Sequence, residues 1–117
     1  MDPIQAAKTQ SSFRKANERM RHLNDSVEHM DIDDLDECFT CECARQGCKE
    51  RIMMSLDAYE EIRRVATHFG VAPRMSHVFQ DVERIFETFH GYWVVEKFGE
   101  AGVAATTLDP RLRARPG

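Results

Sequence analysis

The four cysteines of the chain, Cys38, Cys41, Cys43 and Cys48, fall in one short segment, Cys-Phe-Thr-Cys-Glu-Cys-Ala-Arg-Gln-Gly-Cys, and none lies elsewhere. Disulfides staple distant segments of secreted chains, so clustering this tight points to a metal and away from a disulfide framework. Zinc prefers thiolate and imidazole donors in a tetrahedron, with Zn–S bonds of about 2.3 Å, and Zn2+ is the cofactor expected. Cys41 and Cys43 alternate around Glu42 and so face one side of an extended chain. Gly47 permits the sharp turn that returns Cys48 to the same point. One knuckle thus supplies three ligands. A closed site needs a fourth, and spacing alone leaves three candidates open: His77 in the loop after Pro73, Cys38, and His68. His22 and His29 fall on a helical segment away from its apolar stripe, and His90 precedes Gly91 in a turn.

A chain of 117 residues makes one small domain with tails. No apolar run approaches the ~18 residues of a membrane span, and no secretory h-region follows a basic start, so the expected location is cytoplasmic. Charge divides the sequence unevenly. Residues 24–43 carry eight acidic side chains and no Lys or Arg, whereas the segments before and after the body are basic. The expected organisation is an amphipathic helical arm over residues 1–30, an acidic hinge over 31–38, a zinc-binding α+β body over 39–100 and a basic flexible tail over 101–117. A net charge of −4 argues against non-specific nucleic-acid binding as the main activity. Basic clusters on the arm (Arg14, Lys15, Arg19, Arg21) and tail (Arg111, Arg113, Arg115) come with no recognition motif.

Within the arm, Phe13, Ala16, Met20, Leu23, Val27 and Met30 follow a 3-4-3-4-3 spacing that places them on one helical stripe. Arg14, Lys15, Glu18, Arg19 and Arg21 then occupy the other faces, and Pro3 suits the first turn. Such a stripe either packs on the body or, through Phe13, Ala16, Met20, Leu23 and Val27, docks a protein partner or a second copy. In the body, residues 51–54 read as a return strand, and Ser55 caps a helix over 56–67. Residues 69–72 read as a short strand ended by Pro73, and residues 82–89 and 92–98 as a hairpin around His90-Gly91. The fold class expected is α+β: an N-terminal amphipathic helix, then a small zinc-stabilised body with a knuckle, one helix and a small antiparallel sheet. A body of about sixty residues is one in which metal often supplies what packing cannot.

Several strings carry a resemblance. Phe13-Arg14-Lys15-Ala16-Asn17-Glu18-Arg19 opens it, followed by Phe39-Thr40-Cys41-Glu42-Cys43, Gly47-Cys48, Val71-Ala72-Pro73, His77, Val82-Glu83-Arg84 and Gly91-Tyr92-Trp93-Val94-Val95-Glu96-Lys97. Over residues 13–110 the chain resembles a group of small uncharacterised actinobacterial proteins, most specifically in the Cys-x-Cys-x4-Cys knuckle and the Gly-Tyr-x-Val-Val-Glu-Lys strand. The resemblance implies His77 as the fourth ligand beside Cys41, Cys43 and Cys48, and leaves Cys38 as a spare thiol. It implies no activity. Gly70 departs from it, standing where a large apolar residue is usual.

Catalytic signatures do not accompany the cysteines: there is no His-Glu-x-x-His, Gly-x-Ser-x-Gly, Walker loop or Rossmann glycine pattern. Glu42, between two ligands, should point away from the metal and is a poor base. The function expected is therefore that of a small zinc-binding protein with a structural metal, an interaction or regulatory module working through its helical arm, and not an enzyme. The alternative is a thiol redox or zinc-responsive sensor in which cysteine oxidation ejects the metal, with Cys38 at hand for a first disulfide.

Overall fold

The computed structural model describes residues 2–26 and 36–111. At the cysteine knuckle the chain reverses, and the segments on either side of it pair. Strand β1 (Asp36–Thr40) runs antiparallel to β2 (Arg51–Ser55), with Cys38 opposite Met53 and Phe39 opposite Ile52. Alternation along the strands sends Phe39, Ile52 and Met54 into the core and leaves Cys38 and Met53 exposed. Ser55 ends β2, and its Oγ accepts a hydrogen bond from Ala58 N at 3.1 Å, capping α2 (Leu56–Arg63). This helix stops short of residue 67 because Thr67 already serves the next sheet: its carbonyl accepts from Lys97 N at 2.9 Å. Tyr59 of α2 stacks on Phe39 with ring centroids 4.7 Å apart, which fastens the helix to the two-stranded sheet.

Strand β3 (His68–Val71) enters a second, antiparallel sheet in the order β3-β5-β4, with β4 spanning Glu83–Phe89 and β5 Tyr92–Lys97. The hairpin turns at Gly91, whose φ of +92° is open to glycine and strained for other residues. Gly70 lies buried in β3 against β2 and α2. A Cβ there would come within 3.2 Å of both Ile52 Cδ1 and Ile62 Cδ1, so the missing side chain is what allows the two layers to close. Between β3 and β4 the chain makes a single 3₁₀ turn, Met75–His77. The whole is an α+β fold with two small antiparallel sheets, as the sequence implies.

In helix α1 (Pro3–Ser26) the face that packs on the body, where side chains are described, is not the apolar stripe but a largely polar one. Its buried positions are Ala6, Ala7, Thr9, Gln10, Ser11, Arg14 and Asn17, while Phe13 and Ala16 are half-buried. The side chains of Met20 and Leu23 in the expected stripe, and Val27 and Met30 altogether, lie outside the described residues. Arg14, expected on an outer face, is fully buried. Its guanidinium donates to Ala66 O at 3.0 Å and to His68 O, and lies 3.7 Å from the centroid of the Phe69 ring. A planar cation with five donors can thus cap the carbonyls that the α2–β3 connection leaves open, which counting apolar residues cannot foresee.

Of the acidic stretch 31–38, the described residues 36–38 already belong to β1, and the rest lies outside the description. The tail expected to be flexible from residue 101 is instead helical: α3 spans Gly99–Thr107, with Ala101 and Ala105 buried and α1 alongside. Small residues let it approach closely, since Gly102 sits where a Cβ would meet Lys97 O at 3.1 Å. Beyond it, Asp109 takes a two-pronged hydrogen bond from Arg63, and Arg111 holds both Glu18 of α1 and Glu60 of α2. Residues 112–117 lie outside the description. Among the described residues no helix is long and apolar enough to cross a membrane.

Candidate metal centre

Two backbone hydrogen bonds fix the knuckle before any side chain acts. Cys41 N donates to Glu50 O at 3.1 Å, and Glu42 N donates to Gly70 O at 2.8 Å, so the extended segment 41–43 is pinned between the strand after the knuckle and β3. Alternation then turns Cys41 and Cys43 to one side and Glu42 to the other. Gly47, at φ +77°, and a bond from Cys48 N to Arg45 O at 3.2 Å close the turn that brings Cys48 back. From the opposite wall, the 3₁₀ turn after Pro73 presents His77, with His77 N donating to Arg74 O at 3.0 Å.

The ligand atoms of Cys41, Cys43, Cys48 and His77 all lie within 4.8 Å of one another. His77 Nδ1 is 3.5 Å from Cys41 Sγ and 3.8 Å from Cys48 Sγ. A tetrahedron with metal bonds of about 2.3 Å to sulfur and 2.0 Å to nitrogen has edges of roughly 3.5–3.8 Å, so these separations are those of donors around one ion. Cys41, Cys43 and His77 are buried, and Cys48 is half-buried. Ala72 N donates to Cys41 Sγ at 3.1 Å, a bond that favours a thiolate there. These four residues could hold a metal ion.

Electrostatics makes the same point. Three thiols this close do not ionise together unaided. Its hydrogen bond to Cys43, and then burial, push the Cys41 thiol far above its ordinary range. That same hydrogen bond, helped by His77 and opposed by burial, pulls Cys43 down to about 5, and burial raises Cys48. The shifts oppose one another within one hydrogen-bonded trio, and a divalent cation is what would let all three ionise. Arg74 closes the outer side: its Nη2 is 3.2 Å from His77 Nε2 and 2.5 Å from Glu50 Oε1.

Of the candidates for the fourth place, His77 alone joins the three cysteines. Cys38 is exposed on β1, and His68 lies in the other sheet with Nε2 at 3.0 Å from Glu96 Oε2. His90 is an exposed turn residue, and nothing described concerns the His22 side chain or His29. Sequence reasoning missed what Glu42 does on its own side. It is 1% exposed, its Oε1 accepts from Gly70 N at 3.2 Å and its Oε2 from Asn17 Nδ2 at 3.0 Å, while Arg14 Nη2 stands 3.8 Å away. Its carbonyl accepts from Gln10 Nε2 at 3.0 Å. The signal was present as three polar residues, Gln10, Arg14 and Asn17, on one helical face. No protein-family model matches the chain, and neither a curated protein nor a solved structure matches it, so the functional reading rests on the donor geometry.

Proposed function

We propose that the protein binds one zinc ion through Cys41, Cys43, Cys48 and His77, that the ion is structural, and that the domain it stabilises serves as a protein-interaction or regulatory module. The observation that carries the reading is the convergence of three sulfurs and one imidazole nitrogen, from two separate segments, within 4.8 Å in a buried corner. Sulfur-rich tetrahedral sets select zinc over harder divalent ions. Four protein donors fill a tetrahedron and leave no position for the water that a catalytic zinc activates, which supports a structural role over an enzymatic one. The resemblance to small actinobacterial proteins implied the same four ligands. Reduced thiols as ligands suit a reducing compartment, so the reading includes a cytoplasmic location. Partner docking is assigned to α1, on which Gln5, Lys8, Ser12, Lys15 and Arg19 are exposed.

The test is metal content by elemental analysis of protein purified without added metal, with cobalt substitution as a reporter of tetrahedral thiolate coordination. One zinc per chain, lost in Cys48→Ser and His77→Ala and retained in Cys38→Ser, is the expected result. A zinc-free native chain that takes up no cobalt would overturn the reading.

A second reading is supported by the half-buried position of Cys48 beside the low-pKa thiol of Cys43. Here a peroxide takes two electrons from two ligand thiolates, which join as a disulfide; the peroxide takes up two protons and leaves as two waters, and the metal loses two donors. Zinc release at mild peroxide, before any loss of secondary structure, favours this reading. Zinc retained until denaturation removes it.

A further inference from the structure

His77 offers the cluster one ring nitrogen and keeps the other. Nδ1 is the nitrogen that faces the sulfurs, 3.5 Å from Cys41 Sγ and 3.8 Å from Cys48 Sγ. A neutral imidazole carries one proton, so an Nδ1 that ligates a metal leaves that proton on Nε2. Nε2 must then donate, and ligating histidines give this proton to a carboxylate, a backbone carbonyl or water. Beside Nε2 stands Arg74 Nη2 at 3.2 Å, which is itself a donor and accepts nothing. On that same arginine nitrogen, at 2.5 Å, sits Glu50 Oε1.

Glu50 is tied to the cluster through its backbone as well. Its carbonyl accepts from Cys41 N at 3.1 Å, and its amide hydrogen-bonds the Cys48 sulfur. Through Arg74 its side chain reaches His77, so one residue serves three of the four candidate ligands. We propose that Glu50 is a positioning residue of the centre: its carboxylate accepts the Nε2 proton of His77 and holds the ring with Nδ1 toward the three sulfurs. The inference rests on the zinc reading above and adds to it the group that orients the imidazole. Arg74 keeps its ion pair with Glu50 from the far side, so that the carboxylate lies between two donors. The Arg74 and Glu50 side chains are 52% and 47% exposed, and this arrangement disturbs no packing.

Zinc affinity of the full chain, measured by competition with a chromophoric chelator, tests this. Glu50→Ala should bind zinc about tenfold or more weakly than the native protein, with one ion still bound per chain at saturation. Glu50→Gln keeps an acceptor oxygen and should recover most of that loss. Arg74→Met breaks the same ion pair and should cost about threefold at most, the worth of an exposed pair. In the zinc-loaded native protein, nitrogen-15 spectra of the His77 ring should place the proton on Nε2, and Glu50→Ala should speed its exchange with water. A proton on Nδ1, an affinity unmoved in Glu50→Ala, a Glu50→Gln chain as weak as Glu50→Ala, or equal losses in Glu50→Ala and Arg74→Met overturns the proposal. Each of those outcomes leaves zinc bound to the native chain, whereas a native chain that takes up no zinc fails the underlying reading and this one with it.

Discussion

Residues 41–43 face two ways, and the two sides solve the burial of polar groups by opposite means. On the Cys41 and Cys43 side, three sulfurs and one imidazole nitrogen lie within 4.8 Å of one another and could hold a metal ion. On the Glu42 side, the chain supplies its own cation: Arg14 stands 3.8 Å from the carboxylate, with Asn17 Nδ2 and Gly70 N completing its bonds. Burial pulls Arg14 down to about 10, Glu42 working against the shift, so the guanidinium stays charged at neutral pH. If the cluster holds the proposed ion, one half of the molecule depends on what the solution contains and the other only on folding. A buried ion pair and a buried metal cluster look alike in composition, yet they respond to different perturbations.

Removing the ion gives the largest separation between the two sides. A structural zinc contributes about 10–16 kcal/mol of apparent binding energy in small domains, as much as the whole stability expected here. Cys41→Ser, or a strong chelator, should leave a chain with no cooperative thermal transition, followed by far-UV circular dichroism. A sharp transition surviving within a few degrees of the native one would show that the Glu42 side and the core suffice alone.

Next in size is Arg14→Met, which keeps the apolar stem and strands Glu42 and the carbonyls of Ala66 and His68. Taking one partner from a buried charge pair costs about 3–5 kcal/mol, and the bonds to Asn17 and Gly70 hold the cost near the lower end. Urea denaturation should show a lower midpoint at unchanged slope, with zinc still at one per chain. Zinc lost in proportion to stability would mean that the two sides communicate through Glu42.

Acid should break the sides at different points. Ligand thiols must be deprotonated to bind metal, so protons compete for them as pH falls. Asp109 lies below its ordinary 3.8, burial opposing the shift and the hydrogen bond from Arg63 overcoming it; Glu96 lies below 4.5 through the hydrogen bond from Arg84. A carboxylate with a depressed folded pKa stabilises the fold above its unfolded value, and that contribution disappears as pH falls through the folded one. Metal should thus leave as protons compete for the thiolates, before these ion pairs, whose carboxylates lie below their ordinary values of 3.8 and 4.5, lose their contribution. A chromophoric chelator and circular dichroism followed along one titration would distinguish two transitions from one.

The core can be probed more gently. Gly70→Ala places a methyl 3.2 Å from Ile52 Cδ1 and Ile62 Cδ1, directly behind the segment that Gly70 O holds at Glu42 N. Overpacking of this kind costs about 1–3 kcal/mol, read as a fall in melting temperature of the metal-loaded protein. No loss would mean that β2 and β3 part without strain.

The knuckle was legible in sequence because thiol chemistry and a two-residue alternation leave few arrangements, and the hairpin because Gly91 marks its turn. Spacing could not choose among His77, Cys38 and His68, because the choice depends on which loop faces the knuckle across the sheet. The buried face of α1 was illegible for a different reason: apolar periodicity counts hydrocarbon, and this helix docks through Gln10, Arg14 and Asn17, whose partners are backbone groups far along the chain. The helix at Gly99–Thr107 was hidden because alanines and glycines carry little periodic signal, and their smallness is what lets them pack.

The smallest expected effect falls on Cys38. Strand alternation puts Phe39 in the core and leaves Cys38 on the solvent face opposite Met53, while Cys41 points into the buried cluster. A disulfide needs facing Cβ vectors, so joining Cys38 to Cys41 would require the end of β1 to unpair. Cys38→Ser should therefore change stability by no more than about 0.5 kcal/mol, with zinc content and the rate of peroxide-driven zinc release unaltered. Slower release in that variant would mean that β1 opens under oxidant and that the spare thiol forms the first bond. The line between a side that depends on solution and a side that does not would then run through β1 as well as through residues 41–43.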